Sequence, residues 1–229
     1  MQAFLRFILV LNMTISNVLR AALLVALVIT GTASCRWDKP ENALLRSLIE
    51  EQIDEAAGTG SCTTSAGGVL TTIAKAISTK EWTHCNMDLG ILDTTGTSWD
   101  LRFRRYQVGT NSGASGSGNG GACSTGLTDL NAVTSLGQFS SATAGECPNF
   151  VADTMQTSQD GESSSSTFPG SSVMIDWYSY NGTTHVLESK DIVYLIRQQN
   201  GTDIIAIQLT DYYSDAGTSG YPTFRWKRL

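Results

Sequence analysis

Two alternating runs, IVYLIR (192–197) and DIIAIQL (203–209), flank Asn200-Gly201. Alternation at a period of two lets a strand bury one face and expose the other. Asn-Gly suits the positive φ values of a type I′ turn, so the segment reads as a β-hairpin. Strands joined by so short a link can pair only antiparallel. This commits the C-terminal third of the chain to an antiparallel sheet. Tyr221–Leu229 adds a last short strand, with Phe224 and Trp226 on one face. Pro222 should confine it to an edge or a strand start.

The same period appears earlier. Trp82–Leu89 reads as a strand. In SWDLRFRRYQV (98–108), Trp99, Leu101 and Phe103 alternate with Asp100, Arg102 and Arg104, the pattern of a half-buried strand with a polar outer face. Thr94-Thr95-Gly96 supplies the turn that should pair the two. Weaker strand signals occur at Val173–Tyr180 and His185–Leu187. Thr110–Ser172 is dominated by Gly, Ser, Thr, Ala and Asn and reads as long loops, more than a plain connector needs. One amphipathic helix is expected at Pro40–Ala57, where Leu44, Leu45, Leu48, Ile49 and Ile53 recur at helical spacing. Asp38 is its candidate cap, and Gly58 and Gly60 stop it. Helix-forming residues return at Leu70–Ile77. The fold class expected is all-β, mostly antiparallel, with a short N-terminal helix.

The start of the chain predicts export. Its first 34 residues contain no acidic residue, and Arg20 precedes the apolar run AALLVALVI (21–29). A positive flank, about nine apolar residues and then small residues make a secretory signal too short to span a bilayer. Translation from Met1 or from Met13 gives a complete signal. Thr32-Ala33-Ser34-Cys35 resembles a lipobox, which makes residues 1–34 the signal and Cys35 the lipidated first residue. Residues 35–60 then form a lipidated lead with the helix, and 61–229 one domain. Arg36, rather than Asp, follows the cysteine, as in lipoproteins sorted to the outer membrane. The exported part keeps 13 basic against 21 acidic residues, a net charge of −8. That argues against nucleic acid and anionic membrane surfaces as partners and leaves the lipid as the only membrane attachment.

Four cysteines remain after Cys35: Cys62, Cys85, Cys123 and Cys147. An even count in an exported chain points to two disulfides, with three connectivities open. Cys62–Cys85 and Cys123–Cys147 are favoured, since each closes a short loop around flexible sequence. Neither CxxC nor HxxxH spacing occurs, which disfavours a metal site.

The usual catalytic constellations are absent: no GxSxG, HExxH or P-loop is present, and no GxGxxG opens a helix. The chain reads as a non-enzyme. Its two histidines, His84 and His185, are either structural strand residues or exposed ligands. Asn181-Gly182-Thr183 fits a glycosylation sequon but reads as a turn.

Three stretches carry a resemblance: SWDLRFRRYQVGTNSGASGSGNGGA (98–122), WYSYNGTTHVLESKDIVYLIR (177–197) and LTDYYSDAGTSGYPTFRWKRL (209–229). Together, over roughly residues 70–229, the chain resembles the HmuY family of haem-binding outer-surface lipoproteins. The resemblance implies an all-β, hand-shaped fold that grips haem iron between two strands or loops through two side chains. These are a His pair in some members and a Met pair in others, both standard axial ligands. On this chain His185, Met155 and Met174 are the candidate ligands. No CxxCH occurs, so haem would be held non-covalently. The four downstream cysteines depart from the family pattern. The implied partners are haem or a porphyrin and a TonB-dependent outer-membrane receptor. The alternative is a surface interaction protein on the same scaffold without haem.

Overall fold

A computed structural model describes residues 60–65, 68–158 and 166–229. The expected signal, Cys35 and the Pro40–Ala57 helix lie outside the described residues. Within them the fold is all-β. Ten strands form one sheet in the order β6-β5-β3-β4-β1-β2-β14-β13-β12-β7. They are β1 (Ser61–Thr64), β2 (Leu70–Lys75), β3 (Thr83–Asn86), β4 (Ile91–Leu92), β5 (Leu101–Arg104), β6 (Gln107–Thr110), β7 (Gly121–Ser124), β12 (Val193–Arg197), β13 (Ile204–Tyr213) and β14 (Ser219–Arg228). Two two-stranded ribbons stand apart from it: β8 (Thr154–Ser158) with β9 (Ser166–Gly170), and β10 (Tyr178–Asn181) with β11 (Val186–Ser189). All ladders are antiparallel.

The sheet curls around its main core. Leu101, Phe103 and Val108 from one end share a cluster with Ala122, Ile196, Ile207, Phe224 and Trp226 from the other. Phe103 of β5 stacks on Phe224 of β14 with ring centroids 5.3 Å apart, although four strands separate them in the sheet. The Trp226 indole N–H is satisfied inside this core by Thr72 Oγ1 at 2.9 Å. A second cluster covers the other face of β7, β12 and β13. There Leu130 and Val133 of the long loop pack on Val193, Leu195 and Ala206.

The disulfides pair as favoured, Cys62 with Cys85 and Cys123 with Cys147. The first ties β1 to β3 across the short β4. The second ties β7 to the loop over the back cluster.

The glycine-rich stretch after β6 is not a slack linker. It folds over the buried Asn111 and joins the sheet's two edge strands. Asn111 Nδ2 donates to Trp99 O, its Oδ1 accepts from Gly118 N, and its carbonyl accepts from Gly120 N. A Cβ on Gly118 or Gly120 would stand 2.7–2.8 Å from the Asn111 carbonyl oxygen, so the glycines permit a close backbone approach.

Several expectations need correction. Leu70–Ile77 is no helix but strand β2, held between β1 and β14; the β-branched Thr71, Thr72 and Ile73 suit a pleated surface. Ser98–Val108 is not one strand. The chain reverses at Arg105, with φ +54, into the β5–β6 hairpin. Its polar face is not solvated either, since Asp100 and Arg102 are buried. β3 and β5 do pair, but β4 lies between them in sequence and pairs with the other edge of β3. The Asn200-Gly201 hairpin forms, though not through a type I′ turn. Positive φ occurs at Gly201 alone, and the link closes as Gln198 N donates to Asp203 O. The Asn200 side chain accepts from the amides of Thr202 and Asp203 instead of adopting the left-handed conformation itself. The last strand is ten residues long and central. Pro222 is tolerated because the β2 ladder begins only at Thr223, and the β13 ladder shifts register there. Val173–Trp177 is irregular, and strand β10 starts at Tyr178.

Candidate functional site

The two ribbons carry the candidate ligands, so what seats each ribbon decides what the site can do. The chain enters β8 directly after Asp153, a carboxylate only 2% exposed. It accepts from Thr110 N (2.9 Å), Thr110 Oγ1 (2.7 Å) and Ser115 Oγ. Its own amide donates to Ser112 Oγ, and its carbonyl accepts from Ala114 N. Burial raises the Asp153 pKa, against which these donors and the charge of Arg102 act. Gly109 lets the two charges approach: a Cβ there would lie 2.9 Å from Asp153 Oδ2 and 3.0 Å from Arg102 Nε.

Arg102 fastens the far strand of the same ribbon. Its Nη2 donates to Pro169 O at 2.7 Å, and its guanidinium lies 4.1 Å over the Trp82 ring. Burial pushes its pKa down to about 10, and Nε has no hydrogen-bond partner. Arg104 lies 4.8 Å over Trp82 on the same face, and Phe168 of β9 packs beside them. His84, on β3 next to Arg102, packs edge-on against Trp99. Burial first, and then the charge of Arg102, lower its pKa. His84 is thus held among other groups by the sheet, the structural role that sequence allowed for it.

The β10–β11 ribbon is seated by rings. The Trp177 indole N–H donates to Tyr106 O at 2.8 Å, and its ring packs against Tyr178 and Tyr212. Tyr106 packs edge-on against Tyr178 and Tyr212 as well. Leu187 N donates to the Tyr213 hydroxyl at 2.9 Å, and Ser189 Oγ donates to Leu209 O at 2.6 Å. Burial pushes the Tyr212 phenol up to about 12.

The three candidate ligands have different surroundings. Met155 lies on β8 opposite Pro169 and is 60% exposed. His185 lies in the turn before β11 with φ +57, where the side chain of Asn181 accepts from the amides of Thr183 and Thr184. The Asn181-Gly182-Thr183 turn expected from sequence is therefore present. His185 Nδ1 is 2.7 Å from the Tyr180 hydroxyl, an exposed residue on the same ribbon. With the proton on Nδ1, the phenol oxygen accepts it and Nε2 presents its lone pair. Met174 is wholly buried in the main core, where its thioether fills space. Met155 and His185 are thus on separate ribbons, and Met174 lies beneath the surface. Among the described residues no cluster of three or more His, Cys, Asp or Glu forms a metal site.

Donor chemistry provides the fit test for haem. A thioether and an imidazole, each exposed and each on its own ribbon, match the donor types haem iron takes; Met174 does not, because its sulfur is closed off. Sequence reasoning missed Tyr180, Arg102 and Asp153. Tyr180 alone had a local signal, five residues before His185 across a short turn. Arg102 and Asp153 are 51 positions apart and meet only through the fold.

The HmuY family model matches residues 71–226. The chain belongs to the HmuY family. Three solved structures share the fold. One is a HmuY-like candidate haem-binding protein from Bacteroides vulgatus, at 19% identity and a TM-score of 0.50, covering 69% of this chain and 91% of that one. Another is a candidate lipoprotein from Bacteroides fragilis, at 24% identity and 0.50, covering 70% and 91%. A third is the apo HmuY analogue of Tannerella forsythia, at 14% identity and 0.50, covering 73% and 96%. No curated protein matches the sequence. In this HmuY-family chain the matched segment holds every strand that seats the two ribbons. No helix among the described residues is long and apolar enough to cross a membrane.

Proposed function

We propose that this chain is an outer-membrane lipoprotein, anchored through Cys35, that binds haem or a related porphyrin non-covalently and passes it to an outer-membrane receptor. Family membership supports the class of ligand. The observation that carries the reading to residues is the exposed His185 imidazole, with Nδ1 engaged by Tyr180 and Nε2 open. His185 and Met155 would hold the iron, one from each ribbon. Haem would supply an iron centre for those donors and a wide apolar face. The protein's own contribution is positional: Tyr180 orients the His185 ring, while Asp153 and Arg102 hold the strand pair that bears Met155. Binding through exposed donors on two ribbons leaves the ligand accessible to a receptor, which suits transfer rather than storage.

Titration of the purified protein with haemin tests this. The expected result is saturation near one haemin per chain with a sharpened, shifted Soret band. A broad band without saturation means adsorption on apolar surface. That would retire the haem reading in favour of a surface interaction protein on the same scaffold, a use consistent with the disulfide-clamped loop at Cys123–Cys147.

A further inference from the structure

Among the described residues, part of one face of the main sheet is left uncovered. Register places Ile91, Thr63, Ile73 and Thr223 side by side across β4, β1, β2 and β14. Ile73 is 44% and Ile91 51% exposed. On the same face of β12 and β13, the Leu130–Val133 loop covers the sheet; over β4, β1, β2 and β14 no described residue does so. The same register puts Lys75, Arg225 and Lys227 around the isoleucines, against one acid, Asp211.

We infer that the N-terminal segment 44–57 of this same chain folds as an amphipathic helix onto that face. Three observations converge. Leu44, Leu45, Leu48, Ile49 and Ile53 lie within one half of a helical wheel, and such a stripe needs an apolar partner. The polar remainder carries Glu50, Glu51 and Asp54 against Arg46 alone, with Glu51 bordering the stripe and Glu55 interrupting it near its C-terminal end. That charge complements the basic rim of the face. The tether is also short. Residues 54–60 join Ile53 to β1, the strand that lies between Ile73 and Ile91, and they reach at most about 25 Å. The face is therefore within reach of this helix at a high effective concentration.

Hydrogen exchange on the full chain carrying Cys35→Ser, purified without lipid, tests the inference. A free helix of this length is marginal in water, so slow exchange there reports docking. Amides of 45–53 should exchange about tenfold or more slower than unstructured chain. Ile73→Asp with Ile91→Asp should remove that protection, and so should Leu48→Asp with Ile49→Asp. Amides of β12 and β13 should be unchanged in both, showing that the exposed substitutions leave the sheet intact. Three outcomes would overturn the inference: fast exchange in the parent, protection indifferent to the Ile73 and Ile91 changes, or protection that fades on dilution. The last would mean that a second copy covers the face.

Discussion

Both ribbons depart from the sheet beside the β5–β6 hairpin, yet different chemistry fastens them. Ser171 N, just past β9, bonds Val108 O, and the Trp177 indole, just before β10, bonds Tyr106 O. Behind β8–β9 lies a buried carboxylate surrounded by hydroxyl and amide donors, with two guanidiniums over one tryptophan. Behind β10–β11 lies a group of tyrosines around one tryptophan. Buried charge concentrates its energy in a few partners, so losing one leaves the others unsatisfied. Ring packing spreads its energy over many contacts, and single polar deletions there are mild. The ribbon with Met155 should therefore depend on very few residues, while the one with His185 tolerates more change.

The sharpest way to break this comparison is Asp153→Ala. It strips Thr110 and Ser115 of their acceptor and leaves Arg102 without a countercharge. The expected loss, by chemical denaturation, is about 3 kcal/mol or more. Tyr213→Phe removes only the acceptor for Leu187 N on the other ribbon and should cost about 1 kcal/mol. A larger loss for Tyr213→Phe than for Asp153→Ala would reverse the comparison.

The smallest effect expected is a pH slope. His84 beside Arg102 has a folded pKa below its ordinary 6.5. The unfolded chain then binds that proton more tightly, so the His84 contribution is complete above pH 6.5 and is lost as pH falls through the folded value. Asp153 and Asp100, both raised by burial, contribute with the opposite sign at lower pH. The His84 part is isolated by difference: His84→Phe should flatten the stability profile just below pH 6.5. An unchanged slope in that variant would remove His84 from the account.

The hairpin at 192–209 was legible because its pattern is local: period two on both sides of a turn dipeptide. β14 was legible as a strand but misplaced at an edge, since Pro222 forbids a ladder bond only where a neighbour reaches it, and the neighbours are set by topology. Alternation at 98–108 reports polarity, not burial, so a polar outer face there says nothing of what covers it. What covers Arg102 is Trp82 and a ribbon that begins fifty residues later. The disulfide pairing was legible because each pair closes a short loop, at separations of 23 and 24 residues. For the site, the family resemblance singled out Met155, Met174 and His185, but only burial separates Met174 from the other two. Residue type says nothing of which sulfur a ligand can reach.

On the proposed reading, each of the two ribbons would present one ligand to haem iron. The absorbance spectrum of the ferric haemin complex tests it most directly when parent, His185→Ala and Met155→Ala are compared. Coordination by one imidazole and one thioether predicts low-spin iron with a weak long-wavelength band in the parent. That band should disappear in both variants, neither of which disturbs a buried group. A parent spectrum that survives His185→Ala and Met155→Ala unchanged would contradict the account.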